Sequence, residues 1–246
     1  MSMKTAILCG GKGTRLLEHT ERIPKPLVEI GDKPIVWHIM KLYAHYGFAD
    51  FVLCLGYKGE MIRDYFTRGQ NWRPTLTEVA ATAPDEGTVA ESIEYQESPT
   101  ERWRITFVET GPETNTGGRV RRIAPYVGET FFTTYGDGVA NVDIGSLLEF
   151  HQAHGRIATL TAVQPLSQFG ILQLDENDRI ERFTEKPRMN VWVNGGFFVF
   201  DRRIFDYLGA DEMLEREPFE RLAEERHIVP IATRASGNAW TPIKMR

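Results

Sequence analysis

The stretch from Lys4 to Leu16 constrains this chain more than any other. Its apolar run, Ala6-Ile7-Leu8-Cys9, is too short and too uniform for a helix and predicts a buried strand. The run passes directly into Gly10-Gly11-Lys12-Gly13, where glycines without a Cβ let backbone N–H groups approach a ligand closely. Successive N–H groups turned inward form a concave anion site, and Lys12 and Arg15 add full positive charge. A strand that ends this way predicts an α/β chain holding phosphate at the end of its sheet. Two common phosphate loops do not fit. A Walker loop needs Ser or Thr after its lysine, where this chain has Gly13, and a dinucleotide fingerprint needs glycine where this chain has Leu16.

A second cation accompanies the loop. Lys25 lies in Pro24-Lys25-Pro26-Leu27-Val28, and the flanking prolines predict an extended backbone that aims its ammonium. Gly-Gly-Lys-Gly-Thr-Arg-Leu followed by Pro-Lys-Pro-Leu-Val resembles the sugar-phosphate nucleotidyltransferases. The next segment, Glu29-Ile30-Gly31-Asp32-Lys33-Pro34-Ile35-Val36-Trp37-His38-Ile39-Met40-Lys41, is similar to the glucose-1-phosphate cytidylyltransferases, and the resemblance covers nearly the whole chain.

Composition is that of an ordinary globular protein. The 246 residues are 41% hydrophobic and 26% charged, enough to bury a core. A net charge of −5 argues against a general nucleic-acid binder, so anionic ligands must be met by local clusters. Cys9 and Cys54 both lie in apolar runs and read as packing residues. No stretch approaches the ~18–20 apolar residues of a membrane span. The first residues lack a basic-then-apolar signal pattern, which gives a cytoplasmic expectation.

Along the chain, Lys33-Pro34 predicts a helix start with proline at the first position, followed by an apolar stripe of Ile35, Ile39, Leu42, Tyr43 and Tyr46 and a stop at Gly47. Phe51–Leu55 reads as a strand, and Met61, Ile62, Tyr65 and Phe66 as a second helix face. This alternation predicts a Rossmann-like, mostly parallel sheet flanked by helices, with ligands at its carboxyl edge. Residues 67–103 break the rhythm and read as a long excursion; by resemblance it lies at a subunit contact, which implies a homo-oligomer. Strands follow at Arg104–Val108, Phe131–Tyr135, Ala158–Val163 and Val193–Phe200, with a helix capped by Asp143. Gly170–Leu174 alternates as a half-buried strand. Residues 211–216 and 218–226 read as short helices with solvated Glu/Arg faces, before a last strand over 227–233. The chain reads as one domain over residues 1–246. Its nucleotide-binding half runs to about residue 140 and an acceptor-binding half follows.

Two more glycine turns carry chemistry. Thr116-Gly117-Gly118-Arg119 opens a helix and suits close backbone approach, and Gly136-Asp137-Gly138 places a carboxylate at a strand end, where it can bind a cation resting on phosphates. The resemblance assigns the nucleotide to Leu8, Gly10, Gly11, Gly13, Thr14, Arg15, Lys25, Thr116, Gly117, Gly118, Arg119 and Gly136, with Mg2+ on Asp137. It assigns the acceptor to Gly170, Glu185, Lys186, Asn194, Gly195, Trp240 and Lys244.

The implied reaction joins CTP to a sugar 1-phosphate, α-D-glucose 1-phosphate first, giving a CDP-sugar and pyrophosphate. Arg15, Lys25 and Asp137 are its catalytic groups. A uridylyl- or thymidylyltransferase, a cytidylyltransferase for another phosphorylated acceptor, and a non-catalytic nucleotide sensor are the alternatives. One departure stands out. The family carries a second metal-binding aspartate in a Trp-x-Pro-Met-Asp stretch, whereas this chain reads Trp240-Thr241-Pro242-Ile243-Lys244. An ammonium cannot ligate Mg2+, so Lys244 is expected on phosphate oxygens, and an acceptor more anionic than glucose 1-phosphate becomes plausible.

Overall fold

The structure is a computed structural model that describes residues 3–11, 23–68, 71–75 and 90–233. The first strand, β1, spans Lys4–Leu8. A short ladder of β2 (Glu29–Ile30) and β3 (Lys33–Pro34) precedes α1 (Ile35–His45). Then come β4 (Asp50–Leu55), α2 (Gly59–Thr67), β5 (Trp72–Thr75), β6 (Ala90–Ser98), β7 (Glu101–Glu109) and α3 (Thr116–Arg122). They are followed by β8 (Thr130–Tyr135), α4 (Ile144–His154), β9 (Ala158–Val163), β10 (Ile171–Leu174) and β11 (Ile180–Thr184). The described chain closes with β12 (Val193–Asp201), α5 (Glu217–Glu224) and β13 (Ile228–Ala232).

Nine of these strands form one sheet in the order β13-β9-β12-β8-β1-β4-β7-β6-β5. Its centre, β8-β1-β4-β7, is parallel, while β12 and β6 run against their neighbours. Alternating side chains feed two cores. Ile7, Phe51, Leu53 and Phe132 face α1, α2 and α4; Ala6, Leu8, Val52, Cys54 and Phe131 face α3 and α5. Cover on both faces explains why β4 is buried at every position. Leu8 pairs with Cys54 on one side and Tyr135 on the other, so β1, β4 and β8 end at one level.

Four sequence expectations change. Pro34 is the N-cap of α1, with ψ 158°, and the helix begins at Ile35. Its stripe also buries Val36 and Met40, keeps Leu42 partly buried against the core and leaves Tyr46 exposed. Within the 67–103 excursion, the described parts extend the chain's own sheet as β5 and β6. Ile93 and Tyr95 are buried at period-two spacing, and Tyr95 packs on the fully buried Trp103, two residues past the start of β7. Strand β10 buries neither face, because it pairs with β11 alone and leaves the main sheet. Residues 211–216 do not form the helix expected but end in a turn, Arg216 N–H donating to Met213 O at 3.2 Å; Glu215 is solvent-exposed there and also accepts from Thr116.

Among the described residues, no helix is long and apolar enough to cross a membrane. Asp143 caps α4 as expected, its carboxylate accepting from the Ser146 N–H at 2.9 Å.

Candidate active site

A cavity of about 470 Å3 opens over the carboxyl ends of β1, β4, β7 and β8. Leu8, Cys9, Gly10 and Gly11 form one wall, and residues 112–116 form the opposite one. Lys25, Tyr135, Asp137 and Glu215 complete it. Parallel sheets expose backbone polar groups at this edge, where ligands bind.

Lys25 reaches the cavity by a different backbone route from the extended one expected. It opens a 3-10 turn over Lys25–Leu27, closed by Leu27 N–H to Pro24 O at 2.9 Å and Val28 N–H to Lys25 O at 3.0 Å. Both prolines are buried, so the turn is anchored and the ammonium is left to point at the Asp137 carboxylate, 3.3 Å away. Lys25 is 19% exposed and Asp137 46%, which leaves the carboxylate room for further partners.

The glycines divide by use. Gly11 is open, with nothing near the position of a Cβ. Gly136 is pressed under the loop: its N–H donates to Leu8 O, and a Cβ there would sit 3.0 Å from that oxygen. Gly117 and Gly118 admit the chain's own backbone where a ligand had been expected. Their N–H groups donate to Glu212 O at 2.9 and 3.3 Å, and Cβ atoms would meet Glu212 O and Ala210 O. The Asp211 carboxylate takes the Asn115 N–H at 2.6 Å, so the start of α3 is already capped by the 210–214 segment. Arg119 is buried, and its guanidinium is engaged by carbonyls and a hydroxyl of the surrounding loops. Burial lowers its pKa from the ordinary arginine value.

A polar network crosses the floor. Thr116 Oγ1 donates to Glu215 Oε2 at 2.7 Å, and the Tyr135 hydroxyl donates to Glu215 Oε1. Asn194 Nδ2 donates in turn to the Tyr135 hydroxyl at 3.3 Å, and Asn194 Oδ1 accepts the Gly196 N–H at 2.8 Å. Burial, then the Glu215 charge, drives the Tyr135 pKa upward, so the phenol stays protonated. Burial also pushes the Cys9 thiol well up and Cys54 up to about 12, so both are inert packing groups.

The structure therefore brings together Leu8, Gly10, Gly11, Lys25, Thr116, Arg119 and Asp137, with Asn194 joined through Tyr135 and Gly195 beside it on β12. Gly170, Glu185 and Lys186 lie outside this cavity on the β10–β11 arm. A Cβ at Gly170 would touch Phe183 and Glu185, and Lys186 Nζ stands 3.7 Å from the Glu185 carboxylate. Gly13, Thr14, Arg15, Trp240 and Lys244 fall outside the described residues. Sequence reasoning missed Tyr135 and Glu215 as site residues. Tyr135 looked like a strand end, and Glu215 sat in a charge-rich tail with no local cue to its distant partners.

No group of three or more His, Cys, Asp or Glu able to hold a metal occurs among the described residues. Asp137 is a half-exposed carboxylate beside the Lys25 ammonium in the cavity, an oxygen donor that suits a hard cation completed by waters and substrate oxygens.

Comparison with known proteins agrees with this architecture. A probable glucose-1-phosphate cytidylyltransferase of Bacillus subtilis is 46% identical over 226 residues, spanning 91% of this chain and 85% of the relative. The glucose-1-phosphate cytidylyltransferase of Salmonella typhi is 42% identical over 231 residues, spanning 92% and 86%. Among solved structures, HddC from Yersinia pseudotuberculosis superposes with a TM-score of 0.66 at 21% identity, covering 95% of this chain and 91% of that one, a likeness of fold. The family model described as nucleotidyl transferase matches residues 4–235, and with relatives this similar over most of its length, the chain belongs to that family.

Proposed function

We propose that this nucleotidyltransferase joins CTP to α-D-glucose 1-phosphate, releasing pyrophosphate and forming CDP-glucose. The observation that carries the choice of substrates is the 42–46% identity to relatives bearing that name over more than nine-tenths of this chain. The cavity supports the chemistry, because a glycine loop, an aimed ammonium and a carboxylate converge where strands end. An acceptor phosphate oxygen attacks the α-phosphorus in line and pyrophosphate leaves opposite; that oxygen is already anionic, so no general base is needed. The protein's part is positioning and charge stabilisation.

Lys25 is well placed to shift from Asp137 to phosphate oxygens as negative charge builds on them. Asp137 would hold Mg2+, which when bound neutralises phosphate charge and orients the triphosphate. Glu215, fixed by Thr116 and Tyr135, keeps lone pairs for ligand N–H or O–H donors, and Asn194 adds a polar group on the acceptor side. Glu185 and Lys186 would meet the acceptor from the β10–β11 arm. The reading includes a homo-oligomer formed through the 67–103 segment, supported by β5 standing at the sheet edge, and a cytoplasmic setting where CTP is available. The decisive screen pairs each NTP with a panel of sugar 1-phosphates and follows pyrophosphate. CTP with glucose 1-phosphate should be fastest; no release from any pair would reject the reading.

A further inference from the structure

Beneath the phosphate loop lies a cation that the reaction as derived above leaves unused. Arg119 rises from α3 and is 3% exposed. Its Nη1 donates to Leu55 O at 3.0 Å and Thr110 Oγ1 at 2.7 Å; its Nη2 donates to Gly10 O at 3.0 Å and Pro112 O at 3.5 Å. These acceptors belong to the ends of β1, β4 and β7 and the loop after β7. All are neutral, and no carboxylate among the described residues makes an ion pair with it.

Glycines make the space this group needs. A Cβ at Gly10 would sit 2.0 Å from Arg119 Nη1, and one at Gly56 would sit 2.4 Å from it. Gly10 is therefore a glycine on account of the guanidinium under it as well as any ligand above. Only a planar fork of fixed donors reaches several strand ends at once; a lysine has a single donor centre.

We propose that Arg119 is the positioning residue of the phosphate loop. It ties the Gly10 carbonyl to the ends of β4 and β7 from the wall of the cavity, and acts on the nucleotide through that peptide. A glycine-rich segment loses more conformational entropy on ordering than any other, so an untethered loop would repay that cost at each binding event. A Gly10 peptide already held presents the start of the loop without reorganisation. The buried charge, hydrogen-bonded to carbonyls and a hydroxyl, adds positive potential under the phosphates. The inference rests on the proposed binding of a nucleoside triphosphate at the β1 loop.

The test compares Arg119→Ala, Arg119→Lys and Gly10→Ala in the full chain, using CTP calorimetry, steady-state kinetics and thermal melts. Arg119→Ala should lower CTP affinity and kcat/KM at least ~10-fold, the order expected for losing preorganised electrostatics, with acceptor KM unchanged. Gly10→Ala keeps the cation but displaces it, and should match that loss within about threefold. Guanidinium added to Arg119→Ala should restore turnover, urea should not, and guanidinium should do nothing for Gly10→Ala, whose space is filled. Arg119→Lys should recover less than guanidinium does. Folded variants within about twofold of wild type, or equal effects of guanidinium and urea, overturn the proposal. Should Arg119→Ala fail to fold, Gly10→Ala decides by the same limits. A wild-type chain that binds CTP without turnover defeats the proposed reaction alone, and calorimetry on Gly10→Ala then settles the positioning role. Wild-type protein that binds no nucleotide defeats both.

Discussion

Lys25 and Asp137, 112 residues apart in sequence, meet at 3.3 Å because two turns at strand ends are anchored by buried backbone. Their ion pair is partly solvated and worth at most about 1 kcal/mol, so removing either group should leave the fold intact. Asp137→Asn keeps the shape but loses the charge that would hold a divalent cation. Turnover should fall at least ~10^2-fold, and the dependence on Mg2+ concentration should move to higher values. An unchanged rate and titration would remove Asp137 from the mechanism. Lys25→Ala tests a different quantity. If its ammonium strengthens its contact as charge develops, kcat and kcat/KM should drop together while nucleotide affinity barely moves. A rise in KM alone would make Lys25 a ground-state phosphate ligand. Both residues were legible in sequence through their flanking prolines and glycines. The route by which Lys25 reaches the site was not, because a proline pair restricts φ without choosing between an extended strand and a 3-10 turn.

At the level of elements, legibility followed cover. Strands β1, β4, β8 and β9 are buried on both sides, so their apolar runs could mean little else. The β10–β11 arm has a strand-like pattern too, but its alternation meets no second layer; Phe169 and Phe183 are 76% and 61% exposed. Glycine turns showed where backbone comes close but not to what, and Gly117 and Gly118 proved to admit residues 210–214. The junction of α4 and β9 was silent in sequence, and it carries a pH prediction. His151 Nδ1 and His154 Nε2 both bond the buried Thr159 hydroxyl, at 2.8 and 2.7 Å, and His154 Nδ1 accepts the Arg156 N–H. That last bond places the His154 proton on Nε2, so His154 donates to Thr159 and Thr159 donates to His151. Desolvation first, then the neighbouring His154, pushes His151 down to about 4 from 6.5, with Asp201 opposing and Arg203 assisting. The unfolded chain therefore binds the extra proton first. Stability should be full above about pH 6.5 and decline as pH falls toward 4, by an order of 2–3 kcal/mol from this group. Carboxylates titrate in the same window, so the comparison is with His151→Gln. Denaturant midpoints from pH 7 to 4.5 should fall less in the variant, and parallel curves would show that His151 is not the acid-sensitive group.

Across the whole molecule, the parallel centre of the sheet fixes where ligands go, while its edges are left for other uses. Strand ends at β1, β4 and β8 stand level, and among the described residues the Gly10–Gly11 backbone, the Lys25 ammonium and the Asp137 carboxylate converge there. A site preformed in this way should pass ligand binding on to global stability, since a ligand that binds only the native state raises it by RT ln(1 + [L]/Kd). At a hundredfold excess over Kd this amounts to about 2.7 kcal/mol. For a chain of this length, each kcal/mol is worth roughly 2–4 °C in melting temperature. CTP with Mg2+ should therefore raise the melting temperature by several degrees, and more than UTP or dTTP at equal concentration. The triphosphate contacts are common to all three nucleotides, so a difference between them reports the base alone. Asp137→Asn should shrink the Mg2+-dependent part of the shift for every nucleotide while leaving their order unchanged, because it removes a phosphate-side interaction. If UTP or dTTP stabilises as much as CTP, the phosphate machinery stands but the choice of cytosine does not, and the enzyme belongs with a sister specificity on the same fold.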